Sequence, residues 1–389
     1  MAAAWAAAFP LMSTLEPHRV WGASACVGYL CAAAAVVFWR SIGRRLSVWI
    51  AGVGAVLVPL AILVLTGRAQ SEVGVMERAG LLTVRQGTPY LADPQAVVEV
   101  TPYLPAMALF GLPGAVLADD SAPLRFLGDA RLWCAAAFLG CLWAAGRVLG
   151  GRGAGQGVGA ALIASPVVAL PLAVSGVDLP LTGLLCLALA LAARYRPVAA
   201  GLALALAFSL KWTAWPALAV VAALLARRAG MGAALRSTGV AVAGTVLVVL
   251  PSALLSPGPL VEQVFAFPLG QGEWETPAAS PLPGRLLADL GPFGWYTAMA
   301  LLAAGGMAVA FSLWVRPPRG LVTTADRLAV GLCTAFLLAP AGRFGYLALP
   351  VFLSVWARLA ETPSRAAPVG SLVEAAGPAA RPVPVAIGQ

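Results

Sequence analysis

One pattern constrains this chain more than any other: apolar runs long enough to cross a bilayer recur along its length, joined by connections that alternate between arginine-bearing and arginine-poor. An α-helix rises about 1.5 Å per residue, so a hydrocarbon core of about 30 Å takes about 20 residues. Spans are expected at Trp21 to Trp39, Val48 to Leu65, Arg131 to Gly146, Val158 to Val174, Pro180 to Ala193, Val198 to Trp215, Ala217 to Ala226, Val240 to Leu255, Phe293 to Val315, Leu328 to Ala341 and Phe344 to Trp356, about eleven in all. Sixty per cent of the residues are hydrophobic and only 11% charged, where a soluble domain carries about a quarter charged residues. The chain therefore reads as an all-α polytopic membrane protein. Residues 1–360 read as one membrane domain, and 361–389, rich in Pro, Ala, Gly and Val, as a disordered cytoplasmic tail.

Five connections carry the arginines: Arg40, Arg44 and Arg45; Arg147 and Arg152; Arg194 and Arg196; Arg227, Arg228 and Arg236; Arg316, Arg319 and Arg327. They are alternate connections, so all are cytoplasmic at once if the N-terminus is outside and the C-terminus inside. This accounts for the net charge of +9 as a report of orientation, with a slightly acidic outer side, and removes the case for a nucleic-acid partner. The six cysteines lie in apolar runs and are expected to pack as small residues, with no zinc spacing and no disulfide framework. The apolar start lacks a basic n-region, so a cleaved signal peptide is not expected. His18, the single histidine, precedes the first span and has no visible nucleophile partner.

Two outer connections are long, residues 66–130 and 256–292. The first spaces Val73, Val75, Met76, Ala79 and Leu82 for a short amphipathic helix, followed by Pro- and Tyr-rich turns. The second reads as an ordered Pro- and Gly-rich loop with a short helix. Three charges, Asp178, Lys211 and Arg343, fall at the outer ends of short spans. Counting helical rise from the nearest cytoplasmic arginine places each about 22 to 24 Å along its helix, recessed below the outer surface, which implies a polar chamber open to the outside. Ionisable groups inside the bilayer cost about 2.5 to 3.5 kcal/mol on insertion scales and are functional candidates by default. Plainer readings exist: Arg343 snorkelling to the interface, Asp178 serving as an Asx turn or N-cap. Lys211 is harder to dismiss, because every other basic residue is arginine and it sits in a turn with Trp212 and Trp215.

The first outer segment also gathers Glu72, Glu77, Asp93, Glu99, Asp119, Asp120 and Asp129. Most are expected only to solvate the loop. Glu72 differs, since it opens the amphipathic stretch at the membrane face.

The segment SEVGVMERAGLLTVRQGTPYL, then TPYLPAMALFGLP, resembles the first outer loop of glycosyltransferase family 87, polyprenyl-phosphate-sugar-dependent enzymes of the GT-C superfamily. The resemblance rests on Glu72, Val75 and Met76, Ala79 and Gly80, Gly87, Pro89 and Tyr90, and the turn from Pro102 to Pro105. Further stretches, SGVDLPLTGLLCLALA, AFSLKWTAWPA, FPLGQGEWETPAASPLPGRLLADLGP and LAPAGRFGYLALP, are similar to actinobacterial members. Glu72 stands where the family more often has aspartate, and an extra helix precedes the loop.

The resemblance implies a GT-C-like helical bundle in the plasma membrane that transfers a hexose, mannose-like, from a polyprenyl-phosphate-sugar to a hydroxyl of a lipid or glycan acceptor on the outer face, with inversion. The leaving group is already a phosphate anion, so the chemistry asks for positive charge to hold it and one carboxylate to take the acceptor proton. Glu72 is the expected base, with Glu99 as substitute or acceptor-orienting partner. Lys211 and Arg343, with Arg285 as a third contact, are the expected phosphate ligands. Asp178 is expected to orient Lys211 or to bind sugar hydroxyls. Beyond the donor no cofactor is implied, no metal ligands are assigned, and a divalent metal is compatible with the scheme. The partners are membrane lipids, donor and acceptor. A transporter or lipid flippase is the alternative, although polar groups near the midplane would then be expected; a catalytically silent scaffold is another.

Overall fold

The computed structural model describes residues 1–39, 42–117, 121–150 and 154–361. Arg40, Asp119, Asp120, Arg152 and the tail beyond Glu361 lie outside the described residues. Among the described residues seven helices are long and apolar enough to cross a membrane: Glu16–Phe38, Gly43–Leu65, Ala130–Leu149, Met231–Leu255, Pro292–Val315, Leu321–Leu338 and Phe344–Glu361. Shorter helices, Leu179–Ala193, Pro197–Leu210 and Ala217–Ala229, occupy other expected runs. The protein is an all-α polytopic membrane protein.

Two runs differ from expectation. The one from Val158 to Val174 is broken into Ala154–Ile163 and Pro166–Val174, because Pro166 opens a new helix at a position where its missing N–H costs nothing. The one from Val198 to Trp215 ends at Leu210. Leu104 of the first outer segment donates its N–H to the Leu210 carbonyl at 3.0 Å, satisfying a group that a continuing helix would have used. Lys211 is left in extended backbone at the bend.

The expected amphipathic helix forms as Ser71–Gln86 and buries Val73, Val75, Met76, Ala79 and Gly80. It stops at Gly87, whose φ of +78° lets its N–H close onto the Thr83 carbonyl at 3.0 Å. Gly80 is required for a different reason: a Cβ there would stand 2.3 Å from the Gly111 carbonyl carbon. The helix is therefore laid directly onto the backbone of the following turn.

The connections sort into two sets of ends. At the arginine-rich ends, Arg194 donates to the Leu149 carbonyl, Arg228 to the Arg319 carbonyl at 2.7 Å, and Arg358 pairs with Asp326 at 2.6 Å. At the opposite ends, the Gln70 N–H bonds the Val174 carbonyl at 3.1 Å and the Thr101 N–H bonds Gln263 at 2.9 Å.

Arg131 ties the second set together. Its side chain is 1% exposed and forks onto both oxygens of Asp129 at 2.9 and 2.6 Å. It also donates to the carbonyls of Arg68 and Ala173 at 3.1 and 3.2 Å, joining three helix ends. Removing one member of such a pair strands the other's buried charge, at a cost of about 3 to 5 kcal/mol. Arg131→Met is expected to lower resistance to denaturant in detergent by about that amount. Adding Asp129→Asn should recover most of the loss, measured as unfolding midpoints of the two variants.

Candidate functional site

Five charged side chains line one cavity of about 650 Å³, Arg327, which bonds the Ser312 hydroxyl, and four from separate parts of the chain that meet in pairs, Glu72, Asp178, Lys211 and Arg343. Glu72 lies in the first turn of Ser71–Gln86. Asp178 is the N-cap of Leu179–Ala193. Lys211 occupies the bend after Leu210, and Arg343 the turn before Phe344. The second outer segment fixes that last turn, since the Ser280 N–H bonds the Gly342 carbonyl at 3.0 Å and the Gly342 N–H bonds the Ala278 carbonyl at 2.9 Å.

The charges meet in opposite pairs. Glu72 Oε1 accepts from Arg343 Nη1 at 2.5 Å, and its Oε2 accepts from the Ser175 hydroxyl at 2.9 Å. Asp178 Oδ1 is paired with Lys211 Nζ. Lys211 is 13% exposed, and its ammonium lies 4.9 Å from the Tyr103 ring centroid and 6.0 Å from that of Tyr346. Aromatic faces attract a cation most where water is scarce, so the two rings replace part of the hydration that Lys211 has lost. Tyr103 is itself fixed by the Tyr90 hydroxyl, which donates to its carbonyl at 2.9 Å. Burial, reinforced by the charges of Glu72 and Asp178, holds the Tyr103 hydroxyl protonated well above its ordinary range.

Below the charges the cavity continues as an apolar trough. Its walls include Leu302, Gly306, Val309 and Leu313 of one helix and Leu328 and Leu332 of the next. The residues on each helix recur at three- and four-residue spacing, so each contributes a single stripe. Gly306 opens onto space in which an added Cβ would meet no atom within 4 Å.

Glu99 and Arg285 are not among the residues lining this cavity. Glu99 accepts the Gln95 N–H at 2.7 Å within its own turn, and Arg285 pairs with Asp289 at 2.8 Å one helical turn away. Sequence reasoning missed Tyr103, Tyr346 and Ser175. Tyr103 stands in the quoted TPYLP, and Ser175 three residues before Asp178; aromatic and hydroxyl residues flanking intramembrane charges are the signal that would have found them. Among the described residues no group of three or more His, Cys, Asp or Glu side chains is placed to hold a metal ion.

Residues 101–340 match glycosyltransferase family 87. The chain belongs to that family. Neither the curated proteins nor the solved structures give a match. In this family 87 member the matched segment carries Tyr103, Asp178 and Lys211, whereas Glu99 and Arg343 lie just beyond its limits and Glu72 lies 29 residues before its start. The membrane protein is accordingly a glycosyltransferase by family, and its cavity combines residues of the matched segment with residues of both flanks.

Beneath Glu72 on the same helix, Glu77 is half-buried beside Asp129. Burial, and then the Asp129 charge, push its carboxyl above the ordinary value of 4.5. A carboxyl whose folded value is raised binds its proton more readily when folded. Its contribution to stability is full below the unfolded value and is lost as pH rises through the folded one. Glu77→Gln should therefore resist denaturant better than the parent at pH 8, with the difference vanishing below about pH 4.5, as unfolding curves at the two pH values would show.

Proposed function

We propose that this glycosyltransferase moves a hexose, mannose-like, from a polyprenyl-phosphate-sugar to a hydroxyl of a lipid or glycan acceptor at the outer face of the plasma membrane, with inversion. The observation that carries the reading is the meeting of two carboxylate–cation pairs at the head of an apolar trough. A donor made of a phosphorylated sugar on a long hydrocarbon chain needs both parts, fixed positive charge for the phosphate and a dry channel for the chain. The slightly acidic side with the long connections is taken as the outside, because arginine concentrates at the opposite ends.

In this scheme Arg343 and Lys211 receive the phosphate. Arg343 spends one guanidinium nitrogen on Glu72, and its remaining donors are free in geometry to hold a second oxyanion. As the acceptor oxygen bonds to the anomeric carbon, the bond from that carbon to the phosphate oxygen breaks and the electron pair leaves on the phosphate. Arg343 is drawn toward this growing charge and away from Glu72. The carboxylate loses its counter-ion at the moment when the acceptor hydroxyl must give up its proton, so Glu72 becomes a stronger base as the leaving group departs. Asp178 holds Lys211 in register against Tyr103 and Tyr346 and is within the same cavity for sugar hydroxyls. Glu99 and Arg285 are given no part. A mostly apolar trough is a poor conduit for a sugar phosphate, which disfavours the transporter or flippase reading.

Membranes carrying the protein are expected to transfer labelled hexose from polyprenyl-phosphate-hexose to an endogenous acceptor. Glu72→Gln should reduce that rate about 10²- to 10⁴-fold while leaving the folded yield unchanged; undiminished transfer by the variant would remove Glu72 from the base role. Gly306→Phe fills the trough without touching the charges. It should raise KM for a long-chain donor at least about tenfold, equivalent to about 1.4 kcal/mol, and should affect a truncated-chain donor less. Equal effects on both donors would separate the trough from the donor chain.

A further inference from the structure

The trough carries charge at both of its ends. Two helices wall it, Pro292–Val315 and Leu321–Leu338. A Cβ built on Gly305 would stand 2.6 Å from the Thr334 side chain, one built on Gly331 would stand 3.5 Å from Val309, and Arg327 donates to the Ser312 hydroxyl. The helices therefore run antiparallel. Arg343 follows the end of the second helix at the charged head, whereas Arg327 lines the cavity toward that helix's start, near the arginine-bearing connection of Arg316 and Arg319. The intervening wall from Leu302 to Leu313 covers eleven residues, about 16 Å of helical rise.

Arg327 differs from the other charges of the cavity. Lys211 and Arg343 are each matched to a carboxylate, but Arg327 forms no ion pair among the described residues. The carboxylate next to it in sequence, Asp326, is turned to Arg358, which it holds through both oxygens at 2.6 and 2.9 Å. The Ser312 hydroxyl accepts from one guanidinium nitrogen and leaves the charge uncompensated. A cation at the end of an apolar bore calls for an anion.

We propose that Arg327 binds the phosphate of an anionic phospholipid from the leaflet at the arginine-bearing ends, and that this lipid lays an acyl chain in the trough. A headgroup of net negative charge supplies the counter-ion that the protein withholds, whereas a zwitterionic headgroup brings a cation of its own. Guanidinium is suited to the task because it meets two phosphate oxygens at once. Arg316 and Arg319 add to the attraction for anionic lipid at these ends. The site repeats in reverse what the head of the trough offers the donor, a cation for phosphate followed by apolar wall. Lipid chain and donor chain would fill the same bore, so each excludes the other. That competition rests on the polyprenyl-donor reading above; the lipid site itself does not.

The test is retention of phosphatidylglycerol by the full chain. The protein is reconstituted in vesicles of phosphatidylcholine and phosphatidylglycerol, extracted in detergent, and the lipid that stays bound is quantified by mass spectrometry. The parent is expected to retain phosphatidylglycerol in preference to phosphatidylcholine. Arg327→Gln removes the charge, keeps a donor for Ser312 and breaks no ion pair; Gly306→Phe fills the trough. Each should lower retention at least about tenfold. Arg147→Gln, at an exposed arginine of the same ends that lies over the Trp143 ring, should leave it unchanged. Equal retention by parent and Arg327→Gln, an equal loss in Arg147→Gln, no preference over phosphatidylcholine, or displacement by inorganic phosphate would each overturn the lipid site. Polyprenyl phosphate should displace the lipid from the parent. If it does not, while Arg327→Gln still loses phosphatidylglycerol, the lipid site stands and the donor chain is removed from the trough, a failure of the donor reading alone.

Discussion

Four charges at the head of an apolar trough have to be neutralised where they stand, and this requirement governs the molecule. Glu72 and Arg343 are 271 residues apart, Asp178 and Lys211 are 33 apart, and neither pair exists unless the helix ends that carry them come together. An unpaired ion in such a place costs several kcal/mol. The outer segments are built around that need. Gly80 on Gly111 seats the helix of Glu72, the backbone pairing of Ala278 and Ser280 with Gly342 seats Arg343, and the Arg131 fork locks the ends from which Glu72 and Ser175 project.

Pairing also explains how a stable ground state can be chemically poised. Each carboxylate is satisfied by a cation that a phosphate would also bind, so substrate entry exchanges partners rather than creating charge in an apolar place. The Tyr103 and Tyr346 rings keep Lys211 tolerable in the cavity without giving it a permanent second counter-ion. Among residues that only a three-dimensional view reveals, these rings matter most to the electrostatics.

Much of the fold was legible in the sequence because hydrophobic runs and arginine-bearing connections are one-dimensional signals. Every expected run contains helix, and two are interrupted or end early. The misjudged boundaries, at Ser165 and Leu210, are places where a neighbouring segment or a proline decides the helix end, which run length does not register. Within the site, Asp178, Lys211 and Arg343 stood out because charge in an apolar run is conspicuous. Glu99 and Arg285 looked equally eligible in one dimension; the structure turns each to a partner a few residues away. Arg131 was read as the mere start of a span, because the Arg68 and Ala173 carbonyls that it bonds lie far along the chain.

The central claim is that Glu72 and Arg343 act as one unit, the cation releasing the base as the leaving group departs. A double-mutant cycle on the rate of hexose transfer, with Glu72→Gln, Arg343→Gln and the combination, measures this most directly. The account predicts strong non-additivity, the double variant being scarcely slower than the worse single one, with a coupling of at least about 1.4 kcal/mol. Rate losses that simply multiply in the double variant would contradict it.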